Sequence, residues 1–274
     1  MQHGVIQADG RLYVDNSILA TEAVCQTHAS LRYGLGYDAP GVRVKMNVGT
    51  AIHAGMDVFF AGGSVPDVLA AFEKAYTAMG IGQAIAAMDE KQQKGLQAYT
   101  LANLKVIVGE YCTRNAMLPF EVDTTTIEQG FAVLLDREFN IWYTGTPDVG
   151  KVVMRGSGSV YTVDTKSTGS YLTAEYKRGY RTASQVTGYL WGLREVTGLP
   201  YVGAFINAIN IKKIPDSNRR CSDHGVQYSE CGLMHAEMEL FPVTRTPQQI
   251  EAWRVNAIAL ARRYRARLER VRTA

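Results

Sequence analysis

The segment SVYTVDTKST, residues 159–168, opens as a strand and then turns charged. Val160, Tyr161, Thr162 and Val163 are all β-branched or aromatic, the composition of a strand. Asp164 and Lys166 follow, two apart, which on a strand places both side chains on one face. A carboxylate beside an ammonium on so apolar a strand has two readings. One is a plain ion pair. The other is a metal site with a cationic helper. Sixteen residues earlier, Asp148 follows a Gly-Thr-Pro turn at the start of the preceding strand. If the two strands form a hairpin, Asp148 and Asp164 approach each other, and two close carboxylates repel unless a cation lies between them. Oxygen ligands completed by water suit Mg²⁺ or Mn²⁺. Lys166 could hold a water or stabilise negative charge on a phosphate. Together these parts make a metal-assisted phosphodiester hydrolase.

Further residues stand in order around this pair. GTAIHAGMD places His53 on an early helix after a glycine, IEQGFAVLLD carries Glu128 ahead of Asp148, and SQVTGYLWGL puts Gln185 and Tyr189 four apart on one helix face. With Pro147-Asp148 and Asp164-Thr165-Lys166, this ordered set resembles the PD-(D/E)XK nuclease superfamily, in its RecB-like and Cas4-like exonuclease branch. The resemblance implies that Asp148, Asp164 and the Thr165 carbonyl bind the metal, with His53 as a further ligand through a neutral imidazole nitrogen. It implies that Lys166 positions or activates the attacking water. Glu128 becomes an outer ligand or water holder on a strand, and Gln185 and Tyr189 hydrogen-bond within the site or to the DNA backbone. Each residue also has a plainer reading: His53 as a core histidine, Gln185 and Tyr189 as helix packing, Glu128 as a solvated strand residue. The resemblance further implies a DNA exonuclease of recombination or repair, similar to phage members that can work with a single-strand annealing partner. The alternative is a DNA-binding or structural protein on a nuclease fold that no longer cuts.

Related nucleases often hold an iron–sulfur cluster on one early and three late cysteines. Here Cys25 is early, Cys221 and Cys231 are late, and the third late cysteine is missing, so no cluster is expected. Cys112 falls within a helical stretch and reads as a small buried hydrophobe. CSDHGVQYSECGLMH offers Cys221, His224, Cys231 and His235, the ligand types of a structural zinc. The same stretch also fits a surface loop with two free thiols. A third reading is a non-nuclease metal protein centred on it. Between the Asp164 strand and the Gln185 helix, YKRGYR supplies Lys177, Arg178 and Arg181 as candidates for DNA phosphates.

The elements that must position these residues are legible in outline. Ser17 or Thr21 is expected to cap a helix reaching about Tyr33. Helical spacing predicts helices over 48–62, 65–79 and 88–115. From Pro119 the texture changes to short alternating segments, read as one meander of three or four strands. A helix over 182–198 stopped by Gly198 follows, then strands at YVGAFINAINIKKI and HAEMELFPV, then a long helix with Thr246 as N-cap and Pro247 at its first position. The expected class is α/β, a central mixed sheet flanked by helices. It forms one nuclease domain, with residues 1–117 mainly helical and 118–274 the catalytic core and C-terminal helix.

The 274 residues are 46% hydrophobic and 20% charged, with a net charge of +3, which permits nucleic-acid binding without requiring it. No run of about eighteen apolar residues is present, so no membrane span is expected. The N-terminal stretch has no basic start followed by an apolar core, and four cysteines make no secreted disulfide framework, so the expected compartment is the cytoplasm.

Overall fold

The computed structural model describes residues 3–38, 41–212 and 236–273. The N-terminal part contains β1 (Leu12–Val14), α1 (Asn16–Val24), α2 (Gln26–Ala29) running into a π turn, and α3 (Val44–Phe60). It continues through α4 (Val65–Ala78), α5 (Ile81–Ala86), α6 (Glu90–Gly95) and α7 (Leu101–Arg114). Then come β2 (Phe120–Val122), β3 (Phe131–Asp136), β4 (Ile141–Gly145), β5 (Val149–Met154) and β6 (Val160–Thr168). The last elements are α8 (Ala174–Gly179), α9 (Ser184–Thr197), β7 (Gly203–Asn210), β8 (Met238–Thr244) and α10 (Pro247–Thr273). The α/β class is as expected. No helix among the described residues is long and apolar enough to cross a membrane.

The expected single meander is two sheets. One has the order β1-β4-β3, the other β2-β5-β6-β7-β8. The chain leaves the first sheet where β4 ends at Gly145, and Thr146 and Pro147 carry it into the second. Both edges of β4 are already taken, by antiparallel β3 and parallel β1, so β5 cannot join it. Within the larger sheet β6 and β7 run parallel, and β5 and β8 are antiparallel to them.

Three helix boundaries also differ from expectation. Asp15, not Ser17 or Thr21, caps α1, accepting from the Ile18 amide at 2.9 Å, and α1 stops at Val24 with Cys25 extended instead of running on to about Tyr33. The expected helix over 88–115 is broken into α6, a 3₁₀ turn at Gln97–Tyr99, and α7. The Tyr76 hydroxyl donates to the Tyr99 carbonyl at 3.1 Å, so tertiary contact holds that break open. Helix α3 starts at Val44, ahead of the expected 48. The other signals match: Gly198 ends α9 at φ 70°, and Thr246 caps α10 in a reciprocal pair with Gln249.

The larger sheet is covered on both faces. Val163, Phe205 and Ile209 pack with α3, α4 and α7, while Ala204, Ile206 and Ala208 pack toward α9, α10 and the small sheet. Strand β7 is therefore buried along its whole length, as a central strand of a covered sheet must be. Helix α9 touches β3 and β4 of one sheet and β7 of the other. Its Gly192 permits that approach, since a Cβ there would lie 2.1 Å from the Phe131 ring.

Candidate active site

Strand β5 begins at Val149, opposite Val163 on β6. β6 runs on to Thr168 and keeps β7 on its other edge, so past Val163 its β5-side edge is open. Asp148 sits at this opening and takes the place of a strand partner. One carboxylate oxygen accepts from the Thr165 amide, and the other lies 2.9 Å from His53 Nδ1. In an extended strand a residue's N–H and C=O leave by the same edge. The Thr165 carbonyl therefore faces the same opening as its amide. On the opposite face of β6 its hydroxyl is held by Asn207 at 3.1 Å.

Asp164 and Lys166 share one face of β6, as their spacing requires. Lys166 Nζ donates to Asp164 Oδ1 at 3.0 Å. It also lies 2.8 Å from Oδ2, but without hydrogen-bond geometry, so that buried oxygen has no hydrogen-bond partner among the described residues. Asp164 is only 2% exposed, and burial raises its carboxyl above the ordinary range. Lys166 opposes that shift and Asp148 adds to it.

Helix α3 brings His53 to Asp148 along its site-facing side. Gly49, one turn earlier, lies against Ser167 of β6. Burial works to lower the His53 pKa, but the Asp148 carboxylate outweighs it and the net direction is upward. One turn further, Asp57 lines the same cleft as His53 and Glu128. Its Oδ1 is buried without a hydrogen-bond partner among the described residues, and burial followed by the charge of Asp148 pushes its carboxyl up to about 6. Asp57 escaped the sequence reading, although its i+4 spacing from His53 put it on the same helix face.

Glu128 is not on a strand. β3 begins only at Phe131, and Glu128 occupies a turn with φ 52°, its amide donating to the Asp148 carbonyl at 3.0 Å. That bond, not strand pairing, brings it to the site. Loss of water around its carboxyl, then the charges of Asp57 and Asp148, push Glu128 up to about 7, although the residue as a whole is exposed. Candidate ligand atoms of His53, Glu128 and Asp148 all lie within 4.8 Å of one another.

Gln185 and Tyr189 are joined to each other and to the turn before Asp148. Gln185 Nε2 donates to the Tyr189 hydroxyl at 2.9 Å, and that hydroxyl donates to the Thr146 carbonyl at 3.1 Å. They touch the backbone that aims Asp148, not the acids themselves. Lys177, Arg178 and Arg181 line a separate cleft of about 680 Å³ beside β8. The register Lys166–Ala208–Glu239 puts Glu239 on the sheet face of Lys166, and Lys177 is paired with Glu239 at 2.8 Å. Arg178 and Arg181 are exposed and carry no ion pair among the described residues.

Cys221, His224, Cys231 and His235 lie outside the described residues. Cys25 is exposed, and Cys112 is buried in the core beneath α7 as expected, burial pushing its thiol up to about 11.

No family model and no curated protein matches the sequence. The fold is similar to a solved structure from Eubacterium rectale provisionally described as an exonuclease, with a TM-score of 0.52 and 12% identity over 94% of this chain and 83% of that one. A second structure, SSO0001, aligns with a TM-score of 0.29 and 11% identity over 89% of this chain and 84% of that one, too distant to bear on the fold.

Proposed function

We propose that this chain is a divalent-metal-dependent DNA nuclease of the PD-(D/E)XK type, acting as an exonuclease in recombination or repair. The grouping of His53, Glu128 and Asp148, with the Asp164–Lys166 pair near enough for its charge to interact with Asp148 and His53, carries this reading. The donors fit a hard cation: they are oxygens and one imidazole nitrogen, and buried carboxylate oxygens of Asp57 and Asp164 lack hydrogen-bond partners. Asp148, Asp164, the Thr165 carbonyl and His53 would hold Mg²⁺ or Mn²⁺, with Glu128 at the rim. Such an ion supplies Lewis-acid polarisation of a phosphate and a more acidic bound water.

The chain's own groups then divide the work. Asp148 is held from two sides, by the Thr165 amide and His53, so its carboxylate is preorganised. Lys166, reachable from solvent beside Asp164, donates to the attacking water or to a phosphate oxygen and offsets charge in the transition state. Gln185 and Tyr189 fix the Thr146 turn and act through Asp148. A second reading, a DNA-binding or structural protein that does not cut, draws on the Asp164–Lys166 pair, in which the two charges already offset each other.

Digestion of end-labelled linear DNA and closed circular single-stranded DNA separates these readings. It is run with Mn²⁺, Mg²⁺ or EDTA on the wild type, Asp164→Ala and Lys166→Ala. Metal-dependent loss of the linear substrate alone, abolished by both substitutions, is expected of the exonuclease. Cutting of the circle makes it an endonuclease. DNA binding without cutting in any metal selects the second reading.

A further inference from the structure

Arg245 follows β8 directly and is 7% exposed. Neutral oxygens hold its guanidinium. Nε donates to the Thr187 hydroxyl at 2.8 Å, Nη1 to the Thr244 carbonyl at 2.9 Å, and Nη2 to the carbonyls of Tyr180 at 2.7 Å and Ala183 at 3.3 Å. A guanidinium has five N–H donors, so one on Nη1 has no acceptor among the described residues. No carboxylate pairs with Arg245 there either, and burial alone acts on it, lowering its pKa. Neutral acceptors satisfy hydrogen bonds but leave a net charge out of water, which is costly unless a counter-charge arrives.

Arg245 lines a cleft of about 460 Å³ between α1, α9 and α10, and among the described residues no aspartate or glutamate lines it. Two long helices begin at this cleft. α9 has no side-chain cap and no acidic residue in its first turn, and α10 also lacks an acid there. The uncapped first-turn amides of α9 and the positive dipole ends of both helices add to the same imbalance. Ser184 Oγ accepts from the Trp253 indole at 2.9 Å, which leaves its own proton to donate. Arg181 stands at the junction with the neighbouring basic cleft, lining both.

We propose that this cleft is a phosphate-binding subsite in which Arg245 forms the floor, Arg181 the rim, and the first turn of α9 with Ser184 supplies further donors. That the cleft takes phosphate stands on its own geometry. That the phosphate belongs to a DNA backbone rests on the nuclease reading. α9 would then carry the phosphate at its first turn and, one turn on, the Tyr189 hydroxyl that holds the turn before Asp148.

The test is thermal unfolding of the full chain in EDTA across a titration of inorganic phosphate, with sodium chloride at matched ionic strength as control. Wild type and Lys166→Ala should both show a saturable rise of roughly 2–4 °C. Arg181→Ala should weaken it. Asn256→Asp, an isosteric change on the cleft wall that installs a negative charge, should abolish it. Oligonucleotide binding on the same variants identifies the source. Weaker binding assigns the site to backbone phosphate, and unchanged binding assigns it to a free phosphate or nucleotide. The proposal is overturned if wild type shows no phosphate-specific rise, or if Asn256→Asp and Arg181→Ala keep it in full. Because no cleavage is measured, failure of the nuclease reading leaves the result intact.

Discussion

At the open edge of β6, the carboxylates of Asp57, Glu128, Asp148 and Asp164 cluster around one lysine and one histidine. In the cleft beside α9, a buried arginine has no carboxylate partner among the described residues. Elsewhere among the described residues, buried charges follow the ordinary rule. Buried Asp136 is bound by Arg262, and buried Glu22 by Arg267. The two exceptions have opposite sign, and the proposals above set a divalent cation against the first and a phosphate against the second. In the proposed nuclease the cation is the cofactor and the phosphate belongs to the substrate. Unbalanced charge in an otherwise balanced molecule is therefore a better pointer to function than the number of charges in either place.

The sharpest way to break this contrast is to remove the acids. Asp148→Ala or Asp164→Ala should lower metal-dependent cleavage by ~10³-fold or more, and Lys166→Ala by ~10²–10³-fold, as when a group stabilising developing charge is lost. Near-normal rates in Asp164→Ala would remove the metal assignment. Tyr189→Phe comes next, because it cuts the link to Thr146 without touching a ligand. A loss of ~10–100-fold is expected. Adding Gln185→Ala should cost little more if the two act as one unit, which a double-mutant cycle reads directly.

A smaller effect should appear in stability without any substrate. The carboxyls of Asp57, at about 6, and Glu128, at about 7, are raised in the fold, so the folded state binds more protons than the unfolded one as pH climbs from the ordinary carboxylate range. His53, also raised, gives stability below its unfolded pKa that is lost as pH passes its folded value. All three shifts have one sign. In EDTA the site's contribution should fall between about pH 4 and about pH 8. Asp57→Asn should flatten that fall in the melting temperature, and Mn²⁺ should reverse it at the alkaline end. A flat profile in the wild type would mean that burial and neighbouring charge do not raise these carboxyls in the fold.

The smallest effects belong to the basic cleft. Lys177 is already neutralised by Glu239, so Lys177→Ala should barely change the salt dependence of DNA binding. Arg178→Ala should reduce that slope by ~0.7–0.9, one phosphate's worth, and Glu239→Gln should steepen it.

Local pattern determined much of this chain. The strand around Asp164, the common face of Asp164 and Lys166, the helices of His53 and Tyr189, and the caps at Gly198 and Thr246 follow from periodicity and backbone preference, which act between near neighbours. Long-range pairing decided the rest. Whether β5 extends β4 or founds a second sheet depends on β1 occupying an edge more than a hundred residues away in the chain. Glu128 reaches the site through a turn bonded to the Asp148 carbonyl, and Asp57 becomes part of it only because α3 lies against β6. Arg245 reads in sequence as one cation among 29 Lys and Arg residues. Its isolation from the carboxylates of the described residues exists only once β8, α9 and α10 close around it, since a charge's environment is set by what packs on it and not by what precedes it.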